Sequence, residues 1–125
     1  MGQIFIGLAG VSGFLAVALG AFGAHALKQR LPEDLLAIYH TAVQYQFWHT
    51  AALLAVGLLL LHFPQQPLLK YSGWAFVAGI IIFSGSLYVL AFTGARWLGA
   101  VTPIGGVAFL VGWALLAFAM LKKLA

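Results

Sequence analysis

The polar side chains that could do chemistry form two short clusters in an otherwise apolar chain. They comprise Gln44, Gln46 and His49, then Ser84, Ser86 and Tyr88. Amide, imidazole and hydroxyl groups can relay protons or hydrogen-bond a polar solute or a headgroup, and they can equally bond to one another. The sequence therefore offers either a polar binding site or a hydrogen-bonded seam, depending on the elements that position these side chains.

Those elements are predicted to cross a membrane. Of the 125 residues, 64% are hydrophobic and 6% are charged, whereas soluble domains carry about a quarter charged residues. The eight charges leave uncharged runs of 27, 35, 25 and 25 residues, and about 20 apolar residues suffice to cross the hydrocarbon core. We predict one transmembrane domain over residues 1–125, with helices near 3–24, 38–63, 69–93 and 102–121.

Short connections separate the predicted helices. Pro64 and Pro67 end the second helix, and Thr102 followed by Pro103 begins the fourth. Short loops make consecutive helices antiparallel neighbours, which predicts an all-α, up-down-up-down four-helix bundle with both termini on one side. We call the side of the first and third loops side A, and the side of the second loop and the termini side B. Each side has three Lys or Arg residues, so the positive-inside rule predicts no orientation.

Antiparallel packing places both polar clusters at similar depths on side A. At about 1.5 Å per residue, Gln44 to His49 lie roughly 6 to 14 Å below His40, and the third helix returns to the same level. The predicted polar network consists of His25, His40, Gln44, Gln46, His49, Ser84, Ser86, Tyr88 and Thr102. Such a concentration favours a hydrated crevice or a closed hydrogen-bonded network.

Helical spacing predicts that this set does not share one face. His40 and Gln44 lie on one side of the second helix, whereas Tyr45 and His49 lie on another. We therefore expect at least one pair to face headgroups or a neighbouring subunit. We expect His49 to be buried and bonded to Ser84, Ser86 or Tyr88 across the contact with the third helix.

Small residues mark the predicted helix-packing faces. On the first helix they recur every fourth residue, and on the fourth helix two glycines are adjacent: Ser12, Ala16, Gly20 and Ala24, then Gly105 and Gly106. Small side chains let helix backbones approach closely within lipid. The glycines of the third and fourth helices exceed what one internal seam needs, which favours a homo-oligomer.

Several chemistries are disfavoured by the residue inventory. The chain has no cysteine, and the third and fourth helices contain no histidine for a bis-histidine haem. His25 and His40 could meet Glu33 or Asp34 around a metal, but two loosely placed histidines near a loop are more typical of interfacial polar groups. The basic residues are scattered singly, as in contacts with lipid headgroups. We expect membrane lipids as partners, and no cofactor, metal, nucleic acid or enzymatic activity.

Ordered motifs along the whole chain resemble one known family. They are Gly20–Leu27 (GAFGAHAL), Tyr45–His49 (YQFWH), Ser84–Tyr88 (SGSLY), Thr93-Gly94, Thr102–Gly106 (TPIGG) and Gly112-Trp113. Together they resemble the domain-of-unknown-function 423 family of small four-helix membrane proteins. The resemblance implies an integral membrane protein, located in bacteria in the cytoplasmic membrane, with no established reaction.

Three functions remain open, and we favour the first. A structural or accessory, self-associating membrane protein fits the small-residue stripe and the absence of charge inside the predicted spans. A carrier or channel for a small polar solute fits the polar half-bundle, although inverted repeats and helices broken at mid-membrane are absent from the sequence. Binding of a lipid or quinone headgroup on side A by His25, Gln44 and Arg96 rests on depth alone.

Overall fold

The structure, a computed structural model, describes residues 1–124 as four long helices. The helices are α1 (Gly2–Leu27), α2 (Glu33–His62), α3 (Pro67–Thr93) and α4 (Thr102–Leu124), and a short 3₁₀ helix, Arg96–Ala100, precedes α4. No strand occurs within residues 1–124. All four helices are long and apolar enough to span a membrane, which confirms the predicted all-α fold. The predicted end of the domain, Ala125, lies outside the described residues.

The chain forms two helical hairpins that meet along α2 and α3. In the first hairpin α1 packs along α2, and in the second α3 packs along α4. Near side B, Gly2 of α1 lies against Gly57 and Leu61 of α2. Consecutive helices are therefore antiparallel. α2 is the most buried of the four, because it packs against α1 in its own hairpin and against α3 of the other hairpin.

Local sequence explains where the helices begin. Glu33 and Asp34 occupy the first turn of α2, where carboxylates stabilise the positive end of the helix dipole. The Gln66 side chain accepts a hydrogen bond from the Leu68 amide, and Pro67 follows at the first position of α3. At its other end α3 stops at Gly94, which adopts a left-handed conformation with φ of 70°.

Two segments wind as π-helix rather than α-helix. Gly23–Leu27 forms the last turn of α1, and Ile80–Ser84 interrupts α3 near its middle. A π segment inserts extra chain into a turn and so rotates the residues that follow it. The side A half of α3 consequently faces its neighbours at an angle that the residue spacing alone does not give.

Aromatic rings rest on glycines where the helices cross. The Phe76 ring on α3 occupies the place of a side chain on Gly112, since a Cβ there would lie 2.6 Å from the ring. Phe5 and Phe109 pack in the same way on Gly73 and Gly79, and the backbone of Phe83 lies against Gly105. These glycines of α3 and α4 thus serve contacts within one chain, which accounts for them without a neighbouring subunit.

Three of the four small residues predicted to form the packing face of α1 contact α2 or are buried. Ser12 bonds to α2, Ala16 is buried, and Gly20 lies against Val43 of α2. Ala24 is exposed, so its assignment to the packing face is wrong. At 3.6 residues per turn, each step of four residues advances by about 40°, and three steps carry Ala24 off the face. Gly23 lies there instead, beneath the Tyr39 ring.

The two predicted packing glycines of α4 differ in their surroundings. Gly105 is buried against the backbone of Phe83, whereas a Cβ on Gly106 would meet the Phe83 ring only at 3.9 Å. Close helix approach therefore depends on Gly105.

Candidate functional site

Gln46 is the centre of a hydrogen-bonded cluster that joins three helices. Its amide nitrogen donates to the backbone oxygen of Ser12 on α1 at 3.0 Å. Its amide oxygen accepts from the Tyr88 hydroxyl of α3 at 2.6 Å. Ser12 continues the cluster through its hydroxyl, which lies 2.6 Å from that of Thr50, one turn further along α2. Gln46 is 5% exposed, so these bonds lie inside the bundle.

His49 belongs to a second cluster that joins α2 to α4. Its Nδ1 lies 2.7 Å from the backbone oxygen of Tyr45, and its Nε2 lies 3.0 Å from the indole nitrogen of Trp113. The imidazole also stacks on the Phe109 ring, with centroids 3.6 Å apart and planes 11° apart. The expected bond from His49 to Ser84, Ser86 or Tyr88 is wrong, because His49 faces α4 whereas Gln46 faces α1 and α3.

The two partners of His49 fix which ring nitrogen carries the proton. An indole N–H only donates, so His49 Nε2 must accept the bond from Trp113. A backbone oxygen only accepts, so Nδ1 must carry the hydrogen. In this arrangement His49 is a neutral imidazole in a single tautomer, held in the middle of the bundle.

The serines of α3 bond to α2 and α4. The Ser84 hydroxyl donates to the backbone oxygen of Ala42 at 2.8 Å. Ser86 lies 2.6 Å from the Thr102 hydroxyl at the start of α4, and it donates to the Phe83 oxygen within the π segment. Ser84, Ser86 and Thr102 thus tie the side A ends of three helices together.

Three predicted members of the polar network lie outside it. His25, His40 and Gln44 are exposed on the surface of the bundle, away from Gln46 and His49. The expectation that one pair on α2 faces outward is met by His40 and Gln44. His25 lies in the π turn at the end of α1 and is exposed. These three side chains therefore lie on the outer surface of the bundle and take no part in the two clusters.

Sequence reasoning missed several polar contacts between helices. The Tyr39 hydroxyl donates to the Leu19 oxygen of α1, and Ser72 donates to the Gly112 oxygen of α4 at 2.7 Å. Ser72 lies in the half of α3 nearer side B, so polar contacts are not confined to side A. A signal for Trp113 existed, because an indole N–H in mid-membrane requires an acceptor.

An ion pair joins the two loops on side A. Arg96, in the 3₁₀ helix, donates to the Asp34 carboxylate at the start of α2. Both side chains are more than half exposed, so the pair adds little stability. Arg96 is therefore paired with Asp34. This contact does not support the predicted headgroup site, in which Arg96 would act together with His25 and Gln44.

The buried polar groups are satisfied inside the protein. Among the described residues, no buried side-chain nitrogen or oxygen lacks a hydrogen-bond partner. A groove of about 200 Å³ between α1 and α3 passes over Ser12 and Gln46, and its walls are mainly aliphatic, including Leu8, Leu53 and Ile80. Within residues 1–124, no three His, Cys, Asp or Glu side chains lie close enough to hold a metal ion.

The comparisons with known proteins identify one family. The family described as "Protein of unknown function (DUF423)" matches residues 19–106. The UPF0382 membrane protein YwdK of Bacillus subtilis is 43% identical over 122 residues, covering 98% of this chain and 99% of that protein. A UPF0382 membrane protein of Haemophilus influenzae is 44% identical over 119 residues, covering 95% and 94% of the two chains. No solved structure matches the chain.

Proposed function

We propose that this chain, which belongs to the DUF423 family of membrane proteins, is a structural or accessory protein of the membrane with no enzymatic activity. The observation that supports this role is the saturation of its polar groups. Gln46 bonds to α1 and α3, and His49 bonds to α4 and to its own helix. Groups that already have hydrogen-bond partners inside the protein stabilise the bundle, and they have few free donors or acceptors with which to bind a substrate.

The alternative role as a carrier or channel has less support. Solute passage requires polar groups that exchange their partners with the solute along a path between the two sides. The groove over Gln46 is lined mainly by aliphatic side chains. The Gln46 amide is directed into the protein, toward Ser12 and Tyr88.

Self-association through the outer surface of α1 is part of the proposal. α1 is the least buried of the four spans. A groove of about 440 Å³ between α1 and α2 is lined partly by Ala9, Gly10 and Gly13. Small residues on an exposed helix surface allow a second helix to approach closely within lipid.

We propose the bacterial cytoplasmic membrane as the location. The relatives from Bacillus and Haemophilus are named membrane proteins. Outer-membrane proteins of bacteria are typically β-barrels, whereas this chain has four apolar helices. Membrane lipids are its expected surroundings, and we propose no nucleic-acid partner.

The experiment compares two glutamines that lie two residues apart on α2. Gln46→Leu leaves the Tyr88 hydroxyl and the Ser12 carbonyl without their partner, so we expect unfolding free energy to fall by about 1 to 3 kcal/mol. Gln44→Leu, on the exposed surface, is the control and should change it by less than about 0.5 kcal/mol. Thermal and denaturant unfolding in detergent measure both, and vesicles containing wild-type protein should leak ions, sugars and amino acids no faster than empty vesicles.

Two results would count against the structural role. One is solute uptake by vesicles containing the protein that Gln46→Leu abolishes while the unfolding temperature stays unchanged. The other is equal stability of the Gln46 and Gln44 variants, since the buried cluster would then contribute nothing to the fold.

A further inference from the structure

Residues of the second loop on side B line a pocket that the hydrogen-bonded clusters do not use. The pocket has a volume of about 910 Å³ and is open to the surroundings where α2 ends and α3 begins. Its apolar lining includes Phe63, Leu68 and Phe118, and His62, Gln65 and Lys122 supply polar groups. An apolar lining beneath a polar rim is the arrangement expected of a site at the boundary between hydrocarbon and headgroups.

The Lys, Arg, Asp and Glu side chains on the side of this pocket have one sign of charge. The only acidic residues in the sequence, Glu33 and Asp34, lie at the start of α2 on side A. Side B has Lys70, Lys122 and Lys123 in the sequence and no acidic side chain. On side A the cation Arg96 is paired with Asp34, whereas no Asp or Glu side chain of the sequence lies on the side of Lys122. The pocket is therefore complementary to an anion that carries an apolar tail.

We propose that the pocket beneath the second loop binds an anionic phospholipid, with the headgroup phosphate at Lys122 and His62 and the first acyl carbons against Phe63, Phe118 and Leu68. The lysine ammonium supplies the charge, and the amide of Gln65 and the imidazole of His62 can donate to phosphate oxygens. The volume falls in the range of small-molecule sites, about 300 to 1,000 Å³. This inference goes beyond the proposed structural role, since it involves none of the buried clusters.

The test uses native mass spectrometry of the full chain in mild detergent. Dioleoyl phosphatidylglycerol and dioleoyl phosphatidylcholine have the same acyl chains and differ in headgroup charge. We expect the wild-type protein to retain the phosphatidylglycerol at least threefold more than the phosphatidylcholine. The double variant His62→Gln, Lys122→Gln should lose that preference, and Gln65→Glu, which adds a negative charge at the rim, should lower it as well.

The control removes an equivalent charge on the other side. Lys28→Gln lies in the first loop on side A and is exposed, so it should retain the lipid as the wild type does. His62, Gln65 and Lys122 are exposed, so their variants should unfold at the wild-type temperature in lipid-free detergent. A failure of these variants to bind lipid would then not reflect a loss of the bundle proposed above.

Three results would overturn the proposal. Equal retention of the two lipids by the wild type would exclude selection for a negative headgroup. If Lys28→Gln lost the preference for phosphatidylglycerol as fully as the double variant, overall charge rather than the pocket would attract the lipid. If inorganic phosphate alone raised the unfolding temperature as much as phosphatidylglycerol does, the pocket would be a site for a free anion rather than for a lipid.

Discussion

At the scale of single residues, the hydrogen bond from Trp113 to His49 satisfies a buried imidazole nitrogen and should therefore contribute to stability. Among the described residues, the indole is the only hydrogen-bond donor to His49 Nε2. We expect Trp113→Phe to leave the nitrogen buried without a partner and to lower unfolding free energy by about 1 to 2 kcal/mol. Denaturant unfolding in detergent measures this loss.

The control for that substitution is an indole elsewhere in the chain. Trp97 is 70% exposed in the short helix on side A, so Trp97→Phe should be neutral to stability. The double substitution His49→Leu, Trp113→Phe removes donor and acceptor together and should recover part of the loss. If Trp113→Phe proves as stable as the wild type, the bond contributes nothing.

The sequence predicted part of the polar network, including Gln46, Ser84, Ser86 and Tyr88, but not which groups bond to one another. Counting residues from His40 placed Gln46 level with the returning third helix, and the bond from Tyr88 to Gln46 agrees with this because helical rise is nearly constant. Partners depend on how each helix is rotated about its axis. Gln46 and His49 are three residues apart on α2 and face different neighbours, which one amphipathic pattern does not reveal in an apolar chain.

At the scale of helices, two adjacent glycines on α4 provide a test of close packing. A Cβ on Gly105 would lie 2.7 Å from the Cα of Phe83, a backbone atom that moves only with its helix. We expect Gly105→Ala to cost about 1 to 3 kcal/mol by forcing α3 and α4 apart. Thermal unfolding in detergent gives the sign and size of the change.

Gly106 is the matched control, since a Cβ there meets its nearest atom at 3.9 Å. Gly106→Ala should be neutral or slightly stabilising, because alanine has the higher helix propensity. Two variants with the same stability would contradict the close approach at Gly105. The sequence grouped the two glycines together, because neighbouring positions differ by about 100° around the helix and only the crossing selects one.

Between these crossings, the π segments are the features that the sequence did not signal. Ile80–Ser84 and Gly23–Leu27 contain no proline or other residue that requires a wider turn. Both segments make contacts with α2: the Ser84 hydroxyl donates to the Ala42 oxygen, and Gly23 lies against the Tyr39 ring. Local winding here follows from packing, which spacing rules applied to one helix at a time do not include.

At the scale of the whole molecule, the membrane architecture follows from the distribution of charge. Eight charged residues separate four uncharged runs, and each run corresponds to one helix of the bundle. The cost of burying an ion in hydrocarbon explains why this coarse pattern is reliable. The same argument does not give lateral arrangement, because all helix surfaces are apolar and lipid competes for each of them.

The lateral surface of α1 is where we expect a second copy of the chain to pack. Gly10 is exposed on α1 with no atom near the position of a Cβ, and it lines the groove shared with α2. If a second copy packs there, Gly10→Leu should block its approach while leaving the monomer intact. We expect wild-type protein to give a dimer or larger species in native mass spectrometry, and Gly10→Leu to shift it to monomer. Gly85 on α3 also has open space around it, so Gly85→Leu should leave the assembly unchanged. Wild-type protein that is monomeric in both mild detergent and lipid nanodiscs would remove self-association from the proposed role, while the closed polar clusters would remain its structural basis.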